Sequence, residues 1–122
     1  QWYWEHPELD DMSLNDVLKT VREAGAFVSH AHPFREANYI RSIVLLPRLV
    51  DGVELNANRD DFVNERAEEY ARAYGLPLTA GSDNHVAHRQ SRLFGVYFDE
   101  LPTDEKQLAK LLFDQKYTLK TE

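Results

Sequence analysis

Apolar residues recur every three or four positions from Leu14 to Val21 and again from Val63 to Tyr74; elsewhere they gather in short runs. The first pattern predicts a helix opened by Ser13, with Asp16 three residues on as an acidic capping-box partner. Leu14, Val17, Leu18 and Val21 share its apolar face, and Gly25 stops it. The second predicts a helix over 61–74 with Val63, Ala67, Tyr70, Ala71 and Tyr74 on one face and Gly75 at its end. A third face, Leu108, Leu111 and Leu112, follows Thr103 as a cap. The apolar runs at 26–29, 52–55, 76–80 and 94–98 predict strands, with a terminal strand over 117–119. The stretch 35–46 predicts a helix or helical turn broken near Pro47. Residues 1–11 predict a loop whose Trp2, Tyr3 and Trp4 cover an edge of the core.

Strands that alternate with amphipathic helices predict an α/β fold, with mainly parallel strands and flanking helices. No repeat, low-complexity tract or linker divides the chain, so residues 1–122 read as one domain. Sheets of this kind carry ligand-handling residues at the carboxyl ends of their strands.

Three successive strands end in polar residues: His30 and His32 after the first, Glu54 and Asn56 on the second, Asp83 and His85 after the third. Parallel strands bring these ends to one edge of the sheet. Residues two apart in an extended segment point the same way, so Asp83 and His85 are expected to converge, with Gly81 letting the backbone turn tightly. Imidazole nitrogens and carboxylate oxygens suit zinc, manganese or iron. Each residue also has a plain structural reading. Asp83 can cap the following turn, Glu54 can pair with an arginine, and His32 can be a strand-end histidine before Pro33. His30 and His32 compete for one role. His6 and His88 read as surface histidines. Arg35, just past His32, is placed to meet a phosphate oxygen or to pair with an acid.

Composition narrows the partners. Fourteen basic against 21 acidic residues give a net charge of −7, which repels phosphate backbones and makes nucleic acid an unfavoured partner. No apolar run is long enough to span a membrane. The chain has no cysteine, so it has no disulfide or thiolate site, and a cytoplasmic location is expected. No signal peptide is read. Gln1 at the head and Met12 as the single methionine predict a natural start further upstream.

The segments VSHAHPF (28–34), DGVELNAN (51–58) and GLPLTAGSDNH (75–85), in this order and spacing, resemble the later motifs of the PHP (polymerase and histidinol phosphatase) superfamily. The resemblance covers roughly Ser13 to Leu119. It implies the C-terminal part of a distorted seven-stranded (β/α) barrel with two or three metal ions at the strand ends. Members are mostly phosphoesterases acting on histidinol phosphate, nucleotides or oligonucleotides, or are domains attached to bacterial DNA polymerases. The resemblance selects His32 over His30 as a metal ligand, adds Asp83 and His85, and gives Glu54 a supporting place beside the ligands. It also implies that an opening His-x-His motif, a ligand glutamate and a further histidine precede Gln1, so the chain reads as a partial PHP domain lacking its N-terminal strands.

The expected function is metal-dependent phosphoester hydrolysis by the parent protein. His32, Asp83 and His85 would hold divalent metal (zinc, manganese or iron), and Arg35 and Asn56 would meet a small phosphorylated substrate such as a nucleotide or sugar phosphate. The chain alone is expected to be nearly inactive and to self-associate through raw sheet edges. The alternative from another class is a non-catalytic PHP-like binding or structural module.

Overall fold

The apolar run beginning at Gly52 forms the central strand of a three-stranded parallel sheet. In this computed structural model, which describes residues 2–86 and 90–122, the strand order is β1 (Ser29–His30), β2 (Gly52–Asn56), β3 (Leu78–Gly81). Ser29 pairs with Gly52 and His30 with Val53; on the other side Val53 to Asn56 pair with Leu78 to Gly81. Val53 is fully buried and Leu55 nearly so. Burying a side chain of this size stabilises a fold by about 1.5–3 kcal/mol.

Helix α1 spans Leu14–Glu23, α2 Asp61–Tyr74 and α3 Glu105–Phe113. α2 covers β2: Ala67, Tyr70 and Ala71 share one buried face and join Val53, Leu55, Ala57, Phe34 and Phe94 in the core. It ends because Gly75 takes a left-handed conformation (φ 65°), from which the Leu76 amide donates back to Ala71 over 2.9 Å. Arg22 anchors α1, reaching Asp51 through Nε (3.1 Å) and Nη2 (2.8 Å) and the Arg48 carbonyl through Nη1 (2.9 Å). Asp51 also accepts from the Val28 amide, which ties β1 to the head of β2.

The remaining strands depart from the parallel pattern. β4 (Gly95–Tyr97) and β5 (Thr118–Lys120) pair antiparallel with each other and lie against β3. The Tyr117 hydroxyl donates to the Leu78 carbonyl over 2.6 Å, which fixes the antiparallel pair to the parallel sheet. The fold is therefore mixed α/β, and among the described residues no closed barrel forms.

Several local expectations are corrected. Residues 35–46 form no helix. Isolated turns close at Arg35 to His32 and at Ile40 to Ala37, and Tyr39, Ile40, Ile43 and Val44 are weak helix formers. Residues 2–5 and 7–11 form short 3₁₀ helices where a loop was expected, since Pro7 fits a first helical position. Their aromatics do not seal the core: Trp4 is 83% exposed, while Leu9 is buried. Tyr74 and Leu14 also face outward. Asp104 caps α3 in place of Thr103, accepting from the Gln107 amide over 2.8 Å while Gln107 Oε1 accepts from the Thr103 amide. Of the first predicted strand, 26–29, only Ser29 pairs, and the observed strand runs one residue further to His30; the Val28 carbonyl accepts from the amides of Asp51 and Gly52.

Candidate functional site

The C-terminal ends of β2 and β3 build the site. Beyond Gly81 the chain leaves the sheet and bends at Asp83, which adopts a left-handed conformation (φ 47°). That bend brings His85 Nε2 to 2.9 Å from Asp83 Oδ1. The two residues do meet, but through a turn and not through the pleat of an extended strand. The other carboxylate oxygen, Oδ2, accepts from Arg59 Nη2 at 3.1 Å. Burial pushes the Asp83 carboxyl up, yet the hydrogen bonds from His85 and Arg59, with the charges of His85 and His32, outweigh it and hold its pKa below the usual value. Asp83 is thus an ionised, oriented carboxylate beside an imidazole that is 82% exposed.

His32 also sits at positive φ (31°), and its backbone amide donates to Glu54 Oε2 over 3.1 Å. The same oxygen accepts from Asn56 Nδ2 at 3.1 Å. Glu54 therefore fixes the turn that carries His32. Gly81 turns out to serve this carboxylate: it lies within β3, and a Cβ there would stand 2.2 Å from Glu54 Oε1. Its missing side chain makes room for Glu54; the tight turn belongs to Asp83.

Asn56 is 1% exposed, and its amide is committed at both ends, to Glu54 and to the Asn58 backbone. It braces the site and presents no surface to a ligand. Arg35 donates to the Tyr39 hydroxyl and stacks over that ring at 5.5 Å, and among the described residues it makes no ion pair. His30 turns toward α2, its ring edge-on to Tyr70 at 6.1 Å, and burial, then the nearby His32, lowers its pKa. His6 pairs with Glu8 and packs on Trp2 at the surface. His88 lies outside the described residues.

Two residues carry structure that the sequence did not signal. Arg59 orients Asp83 across 24 positions of sequence. Asn64, inside α2, receives the Asn56 amide on Oδ1 (2.8 Å) and donates Nδ2 to the Asn56 carbonyl (3.0 Å), so the helix grips the end of β2 directly. The only available hint for Arg59 was its place right after the polar end of β2.

Residues 62–89 match the model of the PHP-associated family, PHP_C. The match supports a C-terminal portion of the PHP superfamily. It spans α2 from Phe62, β3 and the Asp83–His85 turn, and leaves His32, Arg35, Glu54 and Asn56 outside. No curated protein and no solved structure matches the chain. Among the described residues, no helix is long and apolar enough to cross a membrane.

The donors at this site can be tested for fit to an ion. Two ligands each about 2.1 Å from one metal stand about 3.0–3.4 Å apart. Asp83 Oδ1 and His85 Nε2, at 2.9 Å, need only part slightly for an ion to replace the proton between them. Among the described residues no three His, Asp or Glu side chains are grouped tightly enough to complete a site. The pair therefore fits as part of a centre and not as the whole of one.

Proposed function

We propose that this chain is the C-terminal part of a PHP-type phosphoesterase and that Asp83, His85 and His32 contribute to its metal centre. The observation that carries the reading is the Asp83–His85 pair, held at 2.9 Å at the carboxyl end of a parallel strand. A divalent ion bound there, zinc, manganese or iron, would supply an acidified water and neutralise phosphate charge. The rest is the work of the chain. Arg59 keeps the Asp83 carboxylate ionised and aimed. Glu54 holds the His32 turn from below, and Asn56 holds Glu54. Arg35, whose guanidinium has a neutral partner in Tyr39, is free to pair with a phosphate oxygen of a small phosphorylated substrate. Strands of the parent protein would complete the seven-stranded barrel around these elements.

A second reading, a non-catalytic PHP-like module, is favoured by one observation: the described residues gather no third donor beside Asp83 and His85. An aryl phosphate assay with added manganese, iron or zinc separates the two. The parent protein is expected to turn over, and His32→Ala with Asp83→Ala to abolish that turnover. The chain alone is expected to be slower by about a thousandfold, the loss of several kcal/mol of transition-state stabilisation from an incomplete centre. A parent protein that is inactive with every metal supports the module.

A further inference from the structure

A hollow of about 300 Å³ has Arg59 in its lining but neither Asp83 nor His85. Its charged lining is Arg35, Arg59 and Arg66 against Glu36 and Asp60. Three cations against two acids leave it at +1 in a chain of −7. The acids stand at the rim: Asp60 is exposed, and the Glu36 side chain is 79% exposed and 4.0 Å from Arg66. Among the described residues, Nε of Arg35 and Nε of Arg59 are buried and have no acceptor.

Each arginine is fixed by something other than a full carboxylate pair. Arg66 stacks over Phe34 at 4.5 Å and lies 5.8 Å from the Phe62 ring. Arg35 stacks on Tyr39. Arg59 gives only Nη2 to Asp83. Like charges gathered with buried, unmet donors are stabilised by an anion, and planar N–H forks match a tetrahedral oxyanion.

We propose that this hollow binds a phosphate group of the substrate, distinct from the group handled at Asp83 and His85, through the guanidiniums of Arg35, Arg59 and Arg66. The inference deepens the phosphoesterase reading and rests on it only for calling the anion part of a substrate; the binding itself needs no metal. Arg59 is the positioning residue that joins the two places. Its Nη2 orients Asp83, and the same side chain lines the hollow. An anion in the hollow and the Asp83 carboxylate therefore compete for it.

The test is titration of the chain with inorganic phosphate, and separately with phenyl phosphate, in excess chelator, followed by the arginine Nε–H resonances. Both probes are expected to saturate in the millimolar range and to move the Arg35 and Arg59 signals. Arg35→Gln and Arg66→Gln, each checked for folding by circular dichroism, are expected to weaken binding about tenfold, with Arg66→Lys retaining part of it. Asp83→Asn releases Arg59 and is expected to tighten binding about threefold, which a purely structural role for Arg59 would not do. Absence of saturation up to tens of millimolar, or equal affinity in the glutamine variants, overturns the proposal. So does binding of inorganic phosphate without phenyl phosphate, which would assign the hollow to the free ion. Metal affinity is measured on the same samples without chelator. Loss of metal binding with phosphate binding intact would remove the phosphoesterase reading and leave the anion site standing.

Discussion

The carboxylate of Glu54 occupies the space that a side chain on Gly81 would fill: a Cβ there would lie 2.2 Å from Oε1. Gly81→Ala should therefore push Glu54 off the His32 amide and off Asn56. The expected cost is about 1–3 kcal/mol in urea unfolding. In a Glu54→Ala background the same substitution should cost almost nothing, since the neighbour it strikes is gone. Equal costs in both backgrounds would contradict this packing.

Asn64 closes both backbone bonds at the end of β2 from within α2. Asn64→Ala leaves the buried amide of Asn56 without its partner, at about 1–3 kcal/mol, while the Asn56 carbonyl keeps the Arg59 amide. Hydrogen exchange at the Asn56 amide should accelerate strongly. A loss under about 0.5 kcal/mol would show that this bracket is not needed.

Where sequence and structure agree, the signal was local. α2 was legible because Ala67, Tyr70 and Ala71 repeat at helical spacing and Gly75 stops the run; β2 and β3 were legible as apolar runs between polar ends. The meeting of Asp83 and His85 was legible from their spacing, though not its cause, because a left-handed aspartate has no sequence signature as strong as glycine's. Residues 35–46 misled because Glu36, Ala37 and Arg41 favour a helix, while contacts of Phe34 and Ile43 with the core fix irregular turns. Arg59 offered only its place after the polar end of β2: its partner lies 24 residues away, and the pairing of β2 with β3 brings them together.

Tyr117 predicts a dependence on alkaline pH. Burial raises the pKa of its hydroxyl above 10.0, and that hydroxyl bonds the Leu78 carbonyl. The unfolded chain then loses this proton at a lower pH than the folded one. The stabilisation is complete below pH 10 and falls as pH rises from there through the folded pKa. Tyr117→Phe should cost about 1 kcal/mol at neutral pH and flatten the decline in melting temperature above pH 10. An unchanged decline in the variant would assign it to other groups.

The outer edge of β1 is unpaired in the described sheet. Trp2, Phe27 and Leu112 line an apolar groove that also touches α1 and α3. The isolated chain is therefore expected to self-associate at tens of micromolar. Sedimentation velocity checks this, and a single monomeric species across that range would contradict it.

In the proposed centre Asp83 and His85 together take a divalent ion. The most direct measurement is titration of the chain with manganese while the imidazole signals of His85 and His6 are followed by NMR. His85 should broaden at substoichiometric manganese, His6 should not, and Asp83→Ala should remove the difference. Equal broadening of both histidines, or an Asp83→Ala variant that responds like the unsubstituted chain, would show that the pair does not hold the ion.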